Sequence, residues 1–501
     1  MKAWITQSFD KIIADMPAPE KLDKDITLYF TKGGKGGCHV VVNSDTDTKV
    51  SLKAIAPEGV KCKIYSEDHI HEIQGHLFVD PIVPYEGEAL SVKSGISLPF
   101  YVDLEAKNAG DHIVTLLLCD GDGNTVDTFT ANLHVWHFSL PAEKSFATSV
   151  GINRWHIGRF EPEPDAHKSY YDLLLENNIC GHNLPYDILD PRADAYMSDP
   201  NVTSFVIGLW EAKNWSDEKI TEYFNKVKSN PEWLKKAIIY VIDEPSTEEA
   251  LAKYKEICER FARLCPGIGV ISPFYTNKQM GDKMDQVDAM APSTILWCPK
   301  LCLWDESQSY TPFLDYSPEK SFGERFKDFQ KRGDTVWGYV CNAPLTPYAQ
   351  LFIDTEGLVQ RLMMWQHYQR DITGFLYWGT TSWGYHGNDG VNPWDTAYNG
   401  VRGCNPGEEA NAELICGEGF LMYPGSVIGR PGAIGSIRMK ILRDALDDIE
   451  LLALAEKYLG KDWVMAKVDE ATPTLTSYTT PERFIEIRKE IGDALEAVVK
   501  P

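Results

Sequence analysis

The feature that most constrains the fold is an alternation of short apolar runs and amphipathic stretches between residues 146 and 378. Apolar runs without polar interruption are typical of strands buried on both faces of a parallel sheet, and parallel strands need helical crossovers between them. Eight such runs therefore predict a (β/α)₈ barrel of the TIM type, with strands at residues 146–152, 181–185, 202–209, 237–242, 269–275, 294–297, 335–341 and 374–378.

The regions on either side of this alternation follow other patterns. From residue 25 to 140, short alternating runs separated by Gly, Asp, Asn and Pro indicate strands joined by turns and predict a β-sandwich. Beyond the barrel, apolar residues recur at helical spacing from Ser436 and again over 484–498. We therefore predict a multidomain α and β chain with an N-terminal β-sandwich (1–141), a barrel domain (142–460) and a C-terminal helical cap (461–501).

Two adjacent acids, Asp243 and Glu244, follow the fourth predicted strand directly, and Pro245 ends that strand. In α/β folds the carboxyl ends of parallel strands carry the ligands and the reactive groups. The Asp-Glu pair at 217–218, by contrast, does not follow a buried strand. The pair after strand four therefore predicts a reactive site. The alternative is a solvated pair that starts the next helix, because acids also favour helix N-termini.

The ends of the other predicted strands carry polar and aromatic side chains. Asn153 and Arg154 follow strand one, and His182 and Asn183 lie in strand two. Indole faces with a few hydrogen-bonding groups suit a neutral, hydroxyl-rich ligand such as a sugar, whereas the alternative for any one tryptophan is a place in the core. Seven of the fourteen tryptophans lie at these strand ends: Trp155, Trp297, Trp304, Trp337, Trp378, Trp383 and Trp394.

The charge of the chain argues against a polyanionic partner. The formal net charge is −24, whereas nucleic acids and anionic membrane surfaces bind basic patches. No apolar run approaches the length of a membrane span, and the first residues lack the apolar segment of a signal peptide. We expect a soluble protein, cytoplasmic as the sequence stands or exported if a signal peptide has been removed. Nucleic acid and a membrane span are not expected, and a homo-oligomer stays open.

Neither a metal nor a cofactor is predicted. The histidines lack the His-Glu-x-x-His pattern, and the glycines of residues 33–37 lack the spacing of a phosphate-binding loop. The eleven cysteines lack the spacing of a disulfide framework, so most should be buried thiols. Residues 120–124, Asp-Gly-Asp-Gly-Asn, fit a hairpin turn better than a calcium loop, because the later ligands of such a loop are missing. Carboxylic acids remain the best candidates for catalysis.

Several short motifs follow one another along most of the chain. They are Pro-Phe-Tyr-Val-Asp-Leu (99–104), Val-Trp-His-Phe-Ser-Leu-Pro (135–141), Tyr-Val-Ile-Asp-Glu-Pro (240–245), Trp-Gly-Tyr-Val-Cys-Asn (337–342), Gly-Phe-Leu-Tyr-Trp-Gly (374–379), Gly-Phe-Leu-Met-Tyr-Pro-Gly (419–425) and the run 436–448. In this combination and order, the chain resembles glycoside hydrolase family 123, the retaining β-N-acetylgalactosaminidases, and their relatives.

The resemblance implies a glycosidase that releases terminal β-linked GalNAc from a glycan with retention of configuration. A retaining glycosidase that uses a carboxylate of its own as nucleophile needs that carboxylate and an acid about 5 Å apart, on opposite sides of the anomeric carbon. Two neighbouring residues of one chain do not easily reach these positions. The implied mechanism is substrate-assisted, with the 2-acetamido oxygen attacking C1 to form an oxazoline. Glu244 would be the general acid and base, and Asp243 would orient the acetamido N–H. The two acids can share one pocket only if the backbone turns at the strand end.

Further site residues are predicted from their places at the strand ends. Tyr339 or Tyr377 would donate a hydrogen bond to the acetamido oxygen. Candidate aromatic surfaces are Trp297, Trp337, Trp378 and Trp383. Candidate partners for the sugar hydroxyls are Asn153, Arg154, His182, Asn183 and Asp395. Two alternatives stay open: a β-N-acetylhexosaminidase of broader or endo specificity, and a non-catalytic carbohydrate-binding protein.

Overall fold

The structure, a computed structural model, describes residues 1–275, 286–305, 320–384, 390–403 and 413–500. Within these ranges the protein combines antiparallel sheets, parallel strands and helices, with the sheet-rich part at the N-terminus. The mixed α/β class and the sheet-rich N-terminal region that the sequence predicts are therefore confirmed.

Two sheets of the N-terminal region share one hydrophobic core. One has the order β2-β12-β11-β4-β9, and the other contains β1, β3, β10, β5 and β8. The core includes Val40 and Phe100 from the second sheet and Leu116 and Phe129 from the first. In β12 every second side chain from Phe129 onward is buried, as expected for a strand with one face on a core. The strands are β1 (Lys2–Gln7), β2 (Asp25–Phe30), β3 (Lys35–Asn43), β4 (Thr48–Ile55), β5 (Val60–Ser66), β6 (Ile70–Ile73), β7 (His76–Val79), β8 (Pro81–Pro84), β9 (Leu90–Val92), β10 (Leu98–Ala106), β11 (Gly110–Asp120) and β12 (Thr125–Val135).

The acidic turn between β11 and β12 is a hairpin turn, as predicted. The Asp120 carboxylate accepts hydrogen bonds from the backbone N–H groups of Asp122 and Asn124 at 3.0 and 2.9 Å. Its oxygens therefore stabilise the turn itself. In the described ranges, no group of three or more His, Cys, Asp or Glu side chains could hold a metal ion. The described cysteines are free thiols, most of them buried, as the sequence predicts.

Short parallel strands follow, linked by hydrogen bonds in the order β13-β19-β18-β17-β16, with β14 beside β15. Single parallel bridges join Val150 to Gly181 and Ile239 to Val270. Of the predicted strands, the second is reduced in the structure to the bridge at Gly181, and the others are present in shortened or shifted form. The strands are β13 (Ala147–Val150), β14 (Phe205–Gly208), β15 (Ala237–Ile239), β16 (Pro273–Phe274), β17 (Leu296–Pro299), β18 (Thr335–Tyr339) and β19 (Gly374–Tyr377).

Helices lie between these strands, and local sequence sets where several of them begin. Ser216 accepts a hydrogen bond from the Lys219 N–H at the start of α4, and Ser321 with Glu324 forms a capping box at the start of α8. The helices are α1 (Arg154–Phe160), α2 (Ala166–Glu176), α3 (Ala193–Ser198), α4 (Asp217–Lys228), α5 (Pro231–Lys236), α6 (Glu248–Leu264), α7 (Gln286–Met290), α8 (Phe322–Arg332) and α9 (Gly357–Gln369).

Alternate side chains of the parallel strands belong to two different hydrophobic clusters. Trp297 and Phe375, for example, pack in the large cluster that also contains helical residues. Both faces of these strands are therefore buried, which explains their continuous apolar sequence. The smaller cluster, here called the inner cluster, consists of Val206, Ile238, Tyr240, Ile271, Leu296, Cys298, Trp337, Tyr339 and Leu376.

The C-terminal part returns to the N-terminal sheet. β23 pairs with β8, which extends the second sheet to the order β1-β3-β10-β5-β8-β23-β22. Ser436 caps the long helix α10 by accepting a hydrogen bond from the Met439 N–H at 3.3 Å, as the predicted start near Ser436 requires. No helix in the described ranges has the length and apolarity needed to cross a membrane. The elements are β20 (Arg402–Gly403), β21 (Glu413–Leu414), β22 (Met422–Pro424), β23 (Ala433–Ser436), α10 (Ile437–Leu459), α11 (Lys461–Ala471) and α12 (Pro481–Val498).

Buried ion pairs join α10 to the N-terminal sheet. Arg438 contacts Asp80 at 2.7 Å, and both side chains are fully buried. Arg443 contacts Asp103 of β10 at 2.6 Å. Breaking one partner of such a pair leaves a buried charge uncompensated, so these pairs fix the position of α10 against the sheet.

Candidate active site

The acid pair lies on the loop after β15, where the backbone turns. β15 ends at Ile239, and Glu244 has φ +40°, in the left-handed region that residues other than glycine rarely adopt. The Glu244 N–H donates to the Pro273 carbonyl at 3.0 Å and ties the turn to the neighbouring strand. A backbone conformation of this kind costs roughly 1–3 kcal/mol and is concentrated at functional sites. The predicted requirement for a turn at the strand end is therefore met at Glu244 itself.

Asp243 is held by the hydroxyl of Tyr240, which donates to Asp243 Oδ1 at 3.1 Å. The surrounding protein raises the pKa of Asp243 to about 6 by shielding the carboxylate from water, and the charge of Glu244 adds to that rise. The Tyr240 hydrogen bond and Lys300 act in the opposite direction. Water still reaches the residue, so a ligand can reach it as well.

Glu244 is held by a different tyrosine. The hydroxyl of Tyr339, at the end of β18, donates to Glu244 Oε1 at 2.6 Å. This distance is in the range of a charge-assisted bond to a carboxylate. Burial and the charge of Glu244 raise the pKa of Tyr339 well above its usual value, so the phenol keeps the proton that it donates. The two acids thus have separate hydroxyl donors from separate strands.

Lys300 is a site residue that the sequence reasoning missed. Its backbone N–H donates to the Phe274 carbonyl at 3.1 Å, and its side chain is almost fully buried. The ammonium lies 5.4 Å from the ring centre of Tyr339 and 4.7 Å from that of Tyr275. Leu296 and Cys298 belong to the inner cluster, and Lys300 is the next residue in the same alternation. The sequence signal that could have identified Lys300 is its place two residues after Cys298, on the same face of the strand as Leu296 and Cys298.

Glu418 is a second missed residue. It is fully buried, and the indole N–H of Trp378 donates to Glu418 Oε1 while the Tyr377 hydroxyl donates to Oε2 at 2.9 Å. Burial raises the pKa of Glu418 to about 7, although the Trp378 and Tyr377 hydrogen bonds and the charge of Arg438 oppose this. No local pattern marks Glu418 in the sequence, because its contacts come from a strand about forty residues away. Tyr377 and Trp378 are thereby anchored on a carboxyl group.

His182 and Asn183 lie at the strand position next to β14. His182 Nδ1 and the Ser149 hydroxyl lie 2.7 Å apart, and the imidazole packs edge-on against Tyr240 with ring centres 5.3 Å apart. Burial lowers the pKa of His182 to about 3, so the ring is neutral. Asn183 is exposed. Through Tyr240, the structure connects His182 to Asp243.

The other predicted polar residues have local partners. Asn153 caps α1 by accepting a hydrogen bond from the His156 N–H at 3.1 Å. Arg154 donates to the Leu184 carbonyl at 2.7 Å and so links two strand ends. Asp395 is exposed and accepts a hydrogen bond from the Asn392 side chain at 2.9 Å. None of these contacts connects them to the acid pair.

The predicted tryptophans divide between the core and the site. Trp297 is fully buried, stacks on Phe329 with ring centres 4.6 Å apart, and donates to Asp334 at 2.8 Å. Trp383 is also fully buried and donates to the Met422 carbonyl at 2.9 Å. Trp337 belongs to the inner cluster below Tyr339. The core alternative therefore describes Trp297 and Trp383, whereas half-buried Trp378 borders the solvent.

Comparison with known proteins agrees with this arrangement. Residues 213–455 match the family model for the glycoside hydrolase 123 catalytic domain. A solved family 123 glycoside hydrolase from Clostridium perfringens, studied for glycolipid glycan hydrolysis, is 12% identical, covers 99% of this chain and 97% of its own, and gives a TM-score of 0.67. No curated protein sequence gives a significant match.

Smaller solved structures match only part of this chain, with low TM-scores. The N-terminal domain of PorA is 13% identical and covers 28% of this chain and 100% of its own, with a TM-score of 0.17. WR4, an MSP family member from C. elegans, is 9% identical and covers 22% of this chain and 91% of its own, with a TM-score of 0.15.

The family match and the structural match concern the same region. The matched residues include Asp243, Glu244, Lys300, Tyr339 and Glu418, and the Clostridium perfringens enzyme shares the fold over almost the whole chain. The resemblance that the sequence motifs indicate is therefore confirmed: residues 213–455 match the catalytic-domain model of glycoside hydrolase family 123, and the fold matches that of a solved family 123 enzyme.

Proposed function

We propose that this protein is an exo-β-N-acetylgalactosaminidase that releases terminal β-linked GalNAc with retention through an oxazoline intermediate. The match of residues 213–455 to the family 123 catalytic domain supports the coarser statement, a glycosidase that acts on a glycan. One observation supports the substrate-assisted mechanism: Asp243 and Glu244 are neighbours in the chain at one strand end, and each accepts a hydrogen bond from its own tyrosine hydroxyl. Neighbours of this kind do not easily flank the anomeric carbon as acid and nucleophile, so the substrate supplies the nucleophile.

In the first step, Glu244 donates its proton to the glycosidic oxygen as the bond from that oxygen to C1 breaks. A lone pair of the 2-acetamido oxygen forms the new bond to C1 and closes the oxazolinium ring. The departing alcohol carries the proton of Glu244, which remains as a carboxylate. Because nucleophile and C1 belong to one molecule, little entropy is lost in bringing them together.

Asp243 stabilises the ring that forms. Its carboxylate accepts a hydrogen bond from the acetamido N–H and lies beside the positive charge that develops there. Tyr240 occupies Oδ1, which leaves Oδ2 for the substrate. With a pKa of about 6, Asp243 is mainly ionised at neutral pH and can carry this role.

In the second step, water opens the oxazoline. The Glu244 carboxylate takes a proton from the water as its oxygen attacks C1, and the bond from C1 to the acetamido oxygen breaks. Two inversions at C1 give net retention. The Tyr339 hydroxyl stabilises the Glu244 carboxylate between the two steps, since its bond to Oε1 is charge-assisted.

Contacts to the sugar are assigned to predicted residues that reach the solvent, Trp378 and Asn183, and to His182, which packs against Tyr240. We assign an aromatic wall to Trp378 and hydroxyl contacts to His182 and Asn183. The core positions of Trp297 and Trp383 support leaving these two out of the site. Asn153, Arg154, Trp337, Tyr377 and Asp395 stay predictions.

We also propose that the parallel strands close into the (β/α)₈ barrel, within the domain division 1–141, 142–460 and 461–501. The bridge from Val150 to Gly181 and a hydrogen bond from the Val206 N–H to the His182 carbonyl, at 2.8 Å, support a strand between β13 and β14. The bridge from Ile239 to Val270 supports the contact between β15 and the fifth strand. The inner cluster supplies the filled interior that a barrel of this size needs.

The proposed function is tested by the substitution Glu244→Gln, with p-nitrophenyl β-GalNAc and β-GlcNAc and an unactivated β-GalNAc disaccharide as substrates. Wild type should prefer the galacto substrates, and the variant should lose nearly all turnover of the disaccharide, whose poor leaving group needs the proton. Glu218→Gln, on the exposed surface of α4, is the matched control and should keep wild-type rates. Wild-type turnover of the disaccharide by Glu244→Gln would refute the assignment, and glycan binding without turnover in wild type would favour the carbohydrate-binding alternative.

A further inference from the structure

Lys300 packs against Tyr339, the tyrosine that holds Glu244, and it is not a solvated surface lysine. Only 6% of the residue is exposed. Lys300 forms a parallel bridge with Tyr339, and its ammonium lies 5.4 Å from the centre of the Tyr339 ring. The hydroxyl of the same tyrosine donates to Glu244 at 2.6 Å. A cation therefore packs against the face of the residue that holds the proposed acid.

The charges around Lys300 account for its burial as a cation. Burial alone lowers the pKa of Lys300, but the neighbouring Cys341 and Glu244 raise it by more, so the amine keeps its proton. Its positive charge in turn lowers the pKa values of Asp243 and Glu418. The ionisable groups that interact with it from the surrounding elements are Asp243, Glu244, Tyr275, Cys302, Tyr339, Cys341 and Glu418.

We propose that Lys300 is a positioning residue whose buried ammonium is the counter-charge that lets Asp243 and Glu244 be ionised at the same time, an inference that rests on the proposed function. The need arises after the first step. Glu244 has then given its proton to the leaving alcohol, and Asp243 must stay anionic beside the oxazolinium. Two adjacent carboxylates in a site covered by a sugar repel each other strongly, because little water remains to screen them.

Lys300 acts through its neighbours, without contact to the substrate. Its ammonium offsets one of the two negative charges and packs on Tyr339, which presents its hydroxyl to Glu244. Because the effect concerns the charge state of the acids, removing the cation should change the pH dependence of the reaction more than the binding of the sugar. No proton leaves Lys300 in this account.

The test compares Lys300→Met and Lys300→Arg with wild type in the intact protein, with p-nitrophenyl β-GalNAc as substrate from pH 4 to 9. Methionine has a similar volume without the charge. It should move the acidic limb of the kcat/KM profile to higher pH by about one unit or more. At pH 6 kcat should fall about fivefold or more, while KM changes less than threefold. Lys300→Arg keeps the charge and should keep the wild-type position of the acidic limb.

Lys440→Met is the matched control. Lys440 is buried to the same degree and contacts Asp103 at 2.8 Å in the N-terminal sheet, away from the acid pair. Its loss should lower stability without moving the acidic limb. If Lys300→Met turns over with an unmoved acidic limb, or if Lys300→Arg shifts the limb as methionine does, the counter-charge role is wrong. Absence of turnover in wild type at every pH would instead refute the proposed function, and this inference with it.

Discussion

Tyr339→Phe isolates the contribution of one hydroxyl to the two steps. The substitution removes the donor that lies 2.6 Å from Glu244 Oε1 and leaves the ring that packs in the inner cluster. A hydrogen bond to a charged group contributes about 1.5–3 kcal/mol. If that bond stabilises the Glu244 carboxylate, its loss should slow the step that uses the carboxylate by roughly 10- to 150-fold.

The leaving group distinguishes the two steps in this experiment. With a 2,4-dinitrophenyl glycoside the first step needs little help from an acid, so opening of the oxazoline by anionic Glu244 limits kcat. The substitution should then lower kcat by the full factor given above. With an unactivated disaccharide the first step limits kcat. Because Glu244 must be protonated in that step, the substitution should lower kcat by a smaller factor. Steady-state kcat on both substrates, measured at one pH, gives the comparison.

Tyr254→Phe is the matched control for Tyr339→Phe. Tyr254, on α6, is also buried, and its hydroxyl lies 2.7 Å from Thr294 Oγ1. The same loss of one buried hydroxyl should leave kcat unchanged there. A value of kcat for Tyr339→Phe within twofold of wild type on the dinitrophenyl substrate would refute the role given to this hydrogen bond.

Three further expectations follow from acids and an arginine whose charges the surrounding protein affects. Asp243 has a pKa of about 6, so wild-type kcat/KM should fall as the pH drops below about 6, and Asp243→Asn should abolish turnover across the whole pH profile. Arg438→Met leaves the Asp80 carboxylate buried without its partner and should lower the free energy of unfolding by roughly 3–5 kcal/mol, measured by denaturant unfolding. The pKa of Glu418 rises from 4.5 to about 7 on folding, so its contribution to stability is present below pH 4.5 and is lost as the pH rises to 7. The difference in unfolding free energy between wild type and Glu418→Gln should therefore change by roughly 3 kcal/mol over that interval.

The sequence predicted those elements whose local signals agree. In helix α4, for example, Ser216 caps the first turn and the apolar residues share one face. The start of α10 at Ser436 was predicted for the same reason. Strand two was predicted at 181–185 but contributes only a bridge at Gly181, and helix α11 lies in the predicted helical cap outside the stretch 484–498 where helical spacing was recognised. Apolar runs indicate burial, and the pairing that makes a strand depends on neighbours distant in sequence.

The acid pair proposed as the centre of the site comes from local sequence, whereas the residues around it do not. Asp243 and Glu244 follow a buried strand, so local context identified them. Lys300 and Glu418 were not identified, because their roles come from contacts with Tyr339 and Trp378 on other strands. For the tryptophans, local sequence shows only that a side chain lies at a strand end. Because successive side chains of a strand point to opposite faces, position in the alternation decides whether a tryptophan faces the ligand or the core.

The most direct test of the substrate-assisted mechanism varies the nucleophile itself. Aryl β-galactosaminides whose N-acetyl group carries no, one, two or three fluorine atoms keep the shape of the substrate while fluorine withdraws electrons from the carbonyl oxygen. If that oxygen attacks C1, wild-type kcat should fall steeply with each fluorine, and the product should retain its configuration. A kcat that is insensitive to fluorination, or an inverted product, would contradict the account and would require another nucleophile.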